Sequence, residues 1–328
     1  MLDRSDIHPL AGQALGSRLQ SDAWLVVVVG PTASGKTELA LRIAEALGGE
    51  IVGCDALQIR AGLPILTAKP TADEQARVPH HLIGALPASP AASAAQYVAL
   101  ADAALAALSR RSCPAVLCGG TGLYLRALCE GLFPGPAADP ALRASLRAEA
   151  AVHGWPTLHA RLSQIDPQAA SRIHPTDPVR IERALEIHAQ SGKTQSQWFA
   201  EHAAERARGP RYRTLRIALD PGPEPGRARI AARTEQMFAR GLLDEVAAQR
   251  AHGPLCDAPL GYDIACQILD GSLSLDAGKA QLVQQTAQYA RRQRTWLRKE
   301  PDLRWYRSAD EVPVATLLAT LRDINQSI

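Results

Sequence analysis

Lysine is scarce in this chain. Five occur, at 36, 69, 193, 279 and 299, so 31 of the 36 cationic side chains are arginine. With 33 acids the formal net charge is only +3, which permits a polyanionic partner without demanding one. No stretch approaches 18 uninterrupted apolar residues, which argues against a membrane-spanning helix. The first 23 residues carry acids and no continuous apolar segment, and they read as a loose leader on a cytoplasmic protein. The six cysteines form no C-x-x-C, and Cys54, Cys113 and Cys118 lie in or beside apolar runs. Buried thiols in a reducing compartment fit that placement better than disulfides or a zinc site. Internal repeats and extended coiled-coil patterns are lacking too, and a monomer is expected. What remains is a chain of 328 residues, 46% hydrophobic, long enough for one large domain or a core with an insert.

Short β-like runs stand at 24–29 (WLVVVV), 50–54 (EIVGC), 115–118 (AVLC) and 214–219 (TLRIAL), with helical patterns between most of them. Strands alternating with helices predict an α/β fold, a parallel sheet with helices on both faces. Each run ends near Gly30, Asp55, Gly119 and Gly120, or Asp220, and ligands in such folds sit beyond the carboxyl ends of the strands. Between the Pro/Gly clusters at 133–140 and 206–213 the texture turns helical, which predicts a helical insertion domain over 133–212. The core is then 24–132 and 213–328, its last part helical to about residue 322.

Residues 30–37, GPTASGKT, satisfy G-x-x-x-x-G-K-[ST] between an apolar strand and a helical pattern, the setting a P-loop requires. Gly30, Pro31, Thr32, Ala33, Ser34 and Gly35 form the turn whose N–H groups face phosphate oxygens. Lys36 adds a mobile charge, and Thr37 can ligate Mg²⁺. A second SGKT at 191–194 lacks the leading glycine, follows a helical segment, and reads as a helix end. Asp55 is either a Mg²⁺-side or proton-accepting carboxylate or a turn cap. Thr121, in GGTGLYLRAL, is presented at the open edge of the sheet or closes a tight turn. The adjacent His80 and His81 point apart and read as structural. In QYARRQRTWLRK, Arg291, Arg294 and Arg298 share one helix face, either solvated or set against a phosphodiester backbone, while Leu282, Tyr289 and Trp296 form another stripe. The loop alone leaves open a small-molecule kinase or a non-catalytic RNA-binding module. The absence of N-K-x-D argues against a GTPase.

Nine segments in order resemble the bacterial tRNA dimethylallyltransferases: GPTASGKT, CDALQ at 54–58, TAKPT at 67–71, VPHHLI at 78–83, GGTGLYLRAL at 119–128, RIHPTDPVRIERALEI at 172–187, ARTEQMFARGLLDEV at 232–246, LGY at 260–262 and YARRQRTWLR at 289–298. The resemblance implies a P-loop NTPase-like core and transfer of a dimethylallyl group from its diphosphate to N6 of the adenosine 3′ of the anticodon. The loop would hold the donor diphosphate with Mg²⁺. Asp55, Thr121 and Arg233 would be catalytic. Contacts to the tRNA anticodon stem-loop would come from Asp55, Ala56, Leu57, Gln58, Thr121, Arg143, Val179, Arg180, Ile181, Glu182, Arg183, Gly261 and Tyr262. This chain departs from the family pattern at Ala56, where serine is usual, Ile59 (tyrosine), Leu66 (glycine) and Asp263 (a base).

Overall fold

The computed structural model describes residues 24–133, 135–207 and 209–319. The leader predicted over 1–23 lies outside them. The chain divides into two compact units, an α/β core and a helical segment, Glu130–Pro210, inserted within it.

The core begins with β1 (Leu25–Val29), every residue of which is buried. Such a strand belongs at the centre of a parallel sheet covered on both faces. It leads through the P-loop into α1 (Lys36–Leu47), then β2 (Glu50–Cys54), α2 (Ala72–Arg77), β3 (His80–His81), α3 (Ala94–Arg110), β4 (Ala115–Gly119) and α4 (Gly122–Glu130). Val26 and Val28 pack with Leu39, Ile43, Val116 and Ile217 on the α1 face. On the other face Cys54 meets Tyr97 of α3, whose ring stacks on Tyr124 at 4.1 Å.

The inserted segment holds α5 (Pro140–His153), α6 (Trp155–Ile165), α7 (Pro167–Ala170), α8 (Pro178–Ser191) and α9 (Gln195–Arg206). Three of these start Asp-Pro. The aspartates Asp139, Asp166 and Asp177 accept from first-turn N–H groups, and proline at the first position gives up no needed donor. Leu146, Leu158, Leu162, Ile181 and Leu185 form its own hydrophobic core. The second SGKT is a helix end: α8 stops at Ser191 and Gly192 caps it at φ 68°. Arg211 and Tyr212, expected in the insert, both bond Asp102 of α3 at 2.6 and 2.7 Å and so belong to the core.

The core resumes with β5 (Thr214–Leu219), α10 (Pro223–Ala239), α11 (Leu242–Ala251), α12 (Tyr262–Leu269), α13 (Leu275–Leu297) and β6 (Arg304–Tyr306). The sheet is parallel throughout, in the order β3-β2-β4-β1-β5-β6. The four expected strands are present to within a residue. The expectation of helices alone after residue 219 is corrected by β6, which pairs with β5 through Ile217–Arg304 to Leu219–Tyr306. Both unforeseen strands, β3 and β6, are edge strands of two or three residues, too short to display a period of two.

Candidate active site

The P-loop, Asp55 and Thr121 stand at the carboxyl ends of β1, β2 and β4, three neighbouring strands. Parallel strands in that order converge their C-terminal loops on one point. At Gly30 a Cβ would lie 2.6 Å from the carbonyl oxygen of Leu219, so only glycine lets the loop leave the strand there. Gly35 takes φ 91° as the N-cap of α1, a left-handed turn that aims the first free N–H groups of the helix at the loop's hollow.

Lys36 donates to the carbonyl of Pro31 at 3.3 Å. Burial pushes its pKa down, against the opposing charges of Cys118 and Asp55, while Arg233 adds to the depression. Burial likewise lowers Arg233, with Asp55 opposing. Two desolvated cations at one place gain most from an incoming anion. Arg229 and Arg233 of α10 and its C-cap Arg240 share one face, and Arg229 fastens that helix to the loop by donating to Ser34 O at 3.2 Å. Together with Gly35, Lys36 and Thr37 they line a cleft of about 480 Å³. Lys69 also lines this cleft, but its ammonium straps a turn, donating to Arg60 O and to Gly62 O at 2.5 and 2.6 Å.

A second, smaller pocket of about 70 Å³ shares Lys36 and Arg233 with the cleft. Asp55, Gln58, Thr67, Thr286 and Tyr289 give it a polar side, while Leu57, Leu66, Ile230, Met237, Leu260 and Leu282 give it an apolar one. Asp55 Oδ1 accepts from Leu57 N at 2.9 Å and Gln58 N at 3.3 Å. It is thus both a turn cap and a pocket carboxylate, and the two sequence readings of this residue are compatible. Thr121 Oγ1 accepts from Ala56 N at 2.9 Å, which ties the ends of β2 and β4 together. Gln58 Nε2 donates to Ala68 O at 2.8 Å. Beside Asp55, burial pushes the Tyr289 phenol up to about 12, although hydrogen bonding toward Thr121 and Gln293 opposes the rise.

Gln293 was missed from sequence. Its Oε1 accepts from Thr32 N at 2.8 Å and Thr32 Oγ1 at 3.1 Å, and its Nε2 donates to Gly120 O at 3.0 Å. One buried amide therefore locks the P-loop to the end of β4. The available signal was its position: a polar residue at i+11 and i+4 on the apolar stripe Leu282, Tyr289 and Trp296. Glu245 was missed as well, because its role, accepting from Ile65 N and Leu66 N at 2.7 and 2.9 Å, depends on a contact 180 residues away.

The residues expected to contact tRNA are placed as follows. Ile181 is fully buried in the insert's core, and Glu182, also buried, pairs with Arg147. Arg143 and Arg183 both bond the buried carboxylate of Glu186 while their side chains stay partly exposed. Burial works against that carboxylate, yet Arg143 and then Arg183 hold it below its ordinary range. Tyr262 packs in a cluster with Leu63, Leu66 and Leu242, and Gly261 caps α12. Val179 and Arg180 are exposed; Arg180 reaches Asp177 on the surface at 2.9 Å. Of the arginine row on α13 and its C-cap, Arg294 pairs with Asp220 at 2.7 Å while Arg291 and the C-cap Arg298 are exposed. His81 bonds Glu50 and His80 bonds Val78 O, both structural. Among the described residues no group of three or more His, Cys, Asp or Glu is placed to hold a metal, and no helix is long and apolar enough to cross a membrane.

The family described as IPP transferase matches residues 58–300. A tRNA dimethylallyltransferase of Anaeromyxobacter sp. (strain K) is 48% identical over 284 residues, 86% of this chain and 92% of that protein. The crystal structure of the full-length tRNA isopentenylpyrophosphate transferase from Bacillus halodurans superposes with a TM-score of 0.65 at 32% identity, covering 93% of this chain and 97% of that one. A eukaryotic dimethylallyltransferase, 24% identical with a TM-score of 0.73 over 90% of this chain and 77% of its own, shares the fold. With a P-loop at the head of its parallel sheet and a helical insert, this chain belongs to the IPP transferase family, the family of the tRNA dimethylallyltransferases.

Proposed function

We propose that the protein transfers the dimethylallyl group of dimethylallyl diphosphate to N6 of the adenosine 3′-adjacent to the anticodon of tRNA, releasing pyrophosphate. The observation that carries this reading is the join between the two cavities. A cationic cleft built for phosphates opens, at Lys36 and Arg233, onto a pocket with one apolar wall and one carboxylate. A prenyl diphosphate has the same plan, an anionic head on a small hydrocarbon tail. Kinase chemistry would use the same loop, but it has no need of a pocket with leucine, isoleucine and methionine side chains at the point of transfer.

In the reaction N6 attacks C1 of the donor, the C1–O bond breaks, and its electron pair leaves on pyrophosphate. The loop N–H groups, Lys36 and Arg233 bind the diphosphate and stabilise the negative charge that grows on the α-phosphate oxygen released from C1. Asp55 takes the proton that N6 gives up, held in place by the Leu57 and Gln58 amides. Tyr289 stays protonated at neutral pH and can donate a hydrogen bond beside it. Stacked in an anticodon loop, the adenine would hide its amine, so the base must be extruded before it reaches Asp55, and Gln58 and Thr121 would border its place.

A magnesium ion fits the oxygens available. Mg²⁺ takes one or two protein oxygens and completes its shell with water and substrate phosphates, and Thr37, in the first turn of α1, supplies one hydroxyl at the cleft. When bound, the ion would add positive charge at the diphosphate. On the insert, exposed Arg180 and Val179 are the surface offered to RNA. A monomer acting in the cytoplasm completes the proposal.

The test is a paired incubation with Mg²⁺ and unmodified tRNA, one arm with label in the dimethylallyl group of its diphosphate and one with label in the γ-phosphate of ATP. Label entering RNA from the prenyl donor alone is expected. Transfer from ATP alone would replace this reading with a kinase.

A further inference from the structure

One face of α13 meets the loop after β4 side chain by side chain. Tyr289, Gln293 and Trp296 stand at i, i+4 and i+7 on that helix. Gln293 Nε2 donates to Gly120 O, and a Cβ on Gly120 would collide with the same amide. Two residues on, a Cβ on Gly122 would collide with Cε3, Cδ2 and Cζ3 of the Trp296 indole. Gly120 and Gly122 are therefore pressed against α13, and Thr121 is held between them.

Trp296 is itself gripped. The Arg126 guanidinium, one turn along α4 from Gly122, lies 4.6 Å from the indole centroid. Arg126 is paired in turn with Glu300, whose side chain is fully buried. The indole lines neither the cationic cleft nor the pocket, so it acts on the site through backbone. Thr121 N donates to Cys54 O at 3.2 Å, and Thr121 Oγ1 accepts from Ala56 N at 2.9 Å. Those two bonds straddle Asp55. Moving Gly122 moves Thr121, and Thr121 carries both neighbours of the carboxylate with it.

We propose that Trp296 is a positioning residue for the transfer step: its indole, gripped by Arg126, seats Gly122 so that Thr121 holds the Asp55 turn in place for the N6 proton. The inference rests on the prenyl-transfer reading given above. A displacement on the order of 1 Å between reacting groups costs about a hundredfold in rate, so a contact outside the cavities can set kcat.

The experiment measures kcat and donor KM with saturating anticodon stem-loop RNA, and kcat is expressed per pyrophosphate-binding site counted by calorimetry, which leaves unfolded protein out. Trp296→Leu should lower kcat about ten- to a hundredfold while donor KM and pyrophosphate affinity stay within about threefold. A contact that serves stability alone would lower Tm and leave kcat per site unchanged. Trp296→Phe, whose shorter ring withdraws from Gly122, should fall between. Gly122→Ala drives a methyl group into the indole and should cost kcat at least about tenfold in the wild type. In Trp296→Leu the same change should cost no more than about twofold, because both substitutions act on one contact. If Trp296→Leu does not fold, as judged by a urea melt, Trp296→Phe with and without Gly122→Ala decides. A folded Trp296 variant with wild-type kcat per site, a loss carried wholly by donor KM, or a Gly122→Ala cost equal in both backgrounds overturns the proposal. A wild type that binds pyrophosphate and transfers no prenyl group refutes prenyl transfer itself.

Discussion

Replacing Gln293 with leucine keeps nearly the same volume and removes every polar contact of the amide. Two backbone groups lose their partner, the Thr32 N–H and the Gly120 carbonyl, while the Thr32 hydroxyl can turn elsewhere. An orphaned buried group costs about 1–3 kcal/mol, and Thr32 is half exposed, so water recovers part; the net loss should be about 2–3 kcal/mol. For a chain of this size that is a fall in Tm of about 3–4 °C. The loop, no longer locked to β4, should also bind pyrophosphate about tenfold more weakly. Gln293→Glu should be no better, because it keeps acceptors for Thr32 but faces the Gly120 carbonyl with a carboxylate. Thermal melting and pyrophosphate titration calorimetry on the same samples measure both effects. A Gln293→Leu protein that melts within about 1 °C of the wild type and binds pyrophosphate equally well would refute the clamp.

Arg233→Gln removes a desolvated cation from the cleft, and kcat/KM for the prenyl donor should fall about ten- to a hundredfold, the worth of one charged hydrogen bond. Unchanged steady-state kinetics would exclude that role. Arg180→Ala should reduce the slope of log K against log salt for RNA binding by about 1 and leave the donor KM alone; parallel salt plots would remove Arg180 from the RNA surface. Glu50 is held at about 2, chiefly by its hydrogen bonds to Arg111, with desolvation opposing and His81 assisting. A folded pKa below the ordinary value means stability that is present above about pH 4.5 and lost as pH falls toward 2. Glu50→Gln should therefore shrink the stability difference between pH 6 and pH 3 by roughly 1–2 kcal/mol, after allowing for the exposure of Arg111. Urea melts at the two pH values read this directly, and an equal acid loss in both proteins would contradict it.

The buried strands and the P-loop were legible because their signals are local: a continuous apolar run, a glycine turn and a helix start lie within fifteen residues. Asp55 and Thr121 could be placed from strand ends alone, since parallel strands deliver their C-terminal residues to one edge. Gln293 and Glu245 could not, because each acts on backbone more than 170 residues away, and a glutamine or glutamate on a helix announces nothing about which distant amide it meets. In the insert the resemblance assigned Arg143, Arg180 and Arg183 to tRNA, and no local signal told that α8 turns Ile181, Glu182 and Glu186 inward or that the buried acids pair with Arg143, Arg147 and Arg183. Charge sign is visible in a sequence; whether a charge is already neutralised is a property of packing.

The central claim is that Asp55 takes the N6 proton while the P-loop holds the donor diphosphate, so the two functions separate at this residue. The measurement is single-turnover prenylation of an anticodon stem-loop RNA at saturating donor, wild type against Asp55→Asn, with pyrophosphate affinity measured in parallel. Asparagine can still accept from the Leu57 and Gln58 amides and keep the turn. Transfer should slow by about 10²–10⁴-fold while pyrophosphate binding stays within a factor of about two. An Asp55→Asn enzyme that prenylates at the wild-type rate would contradict the account.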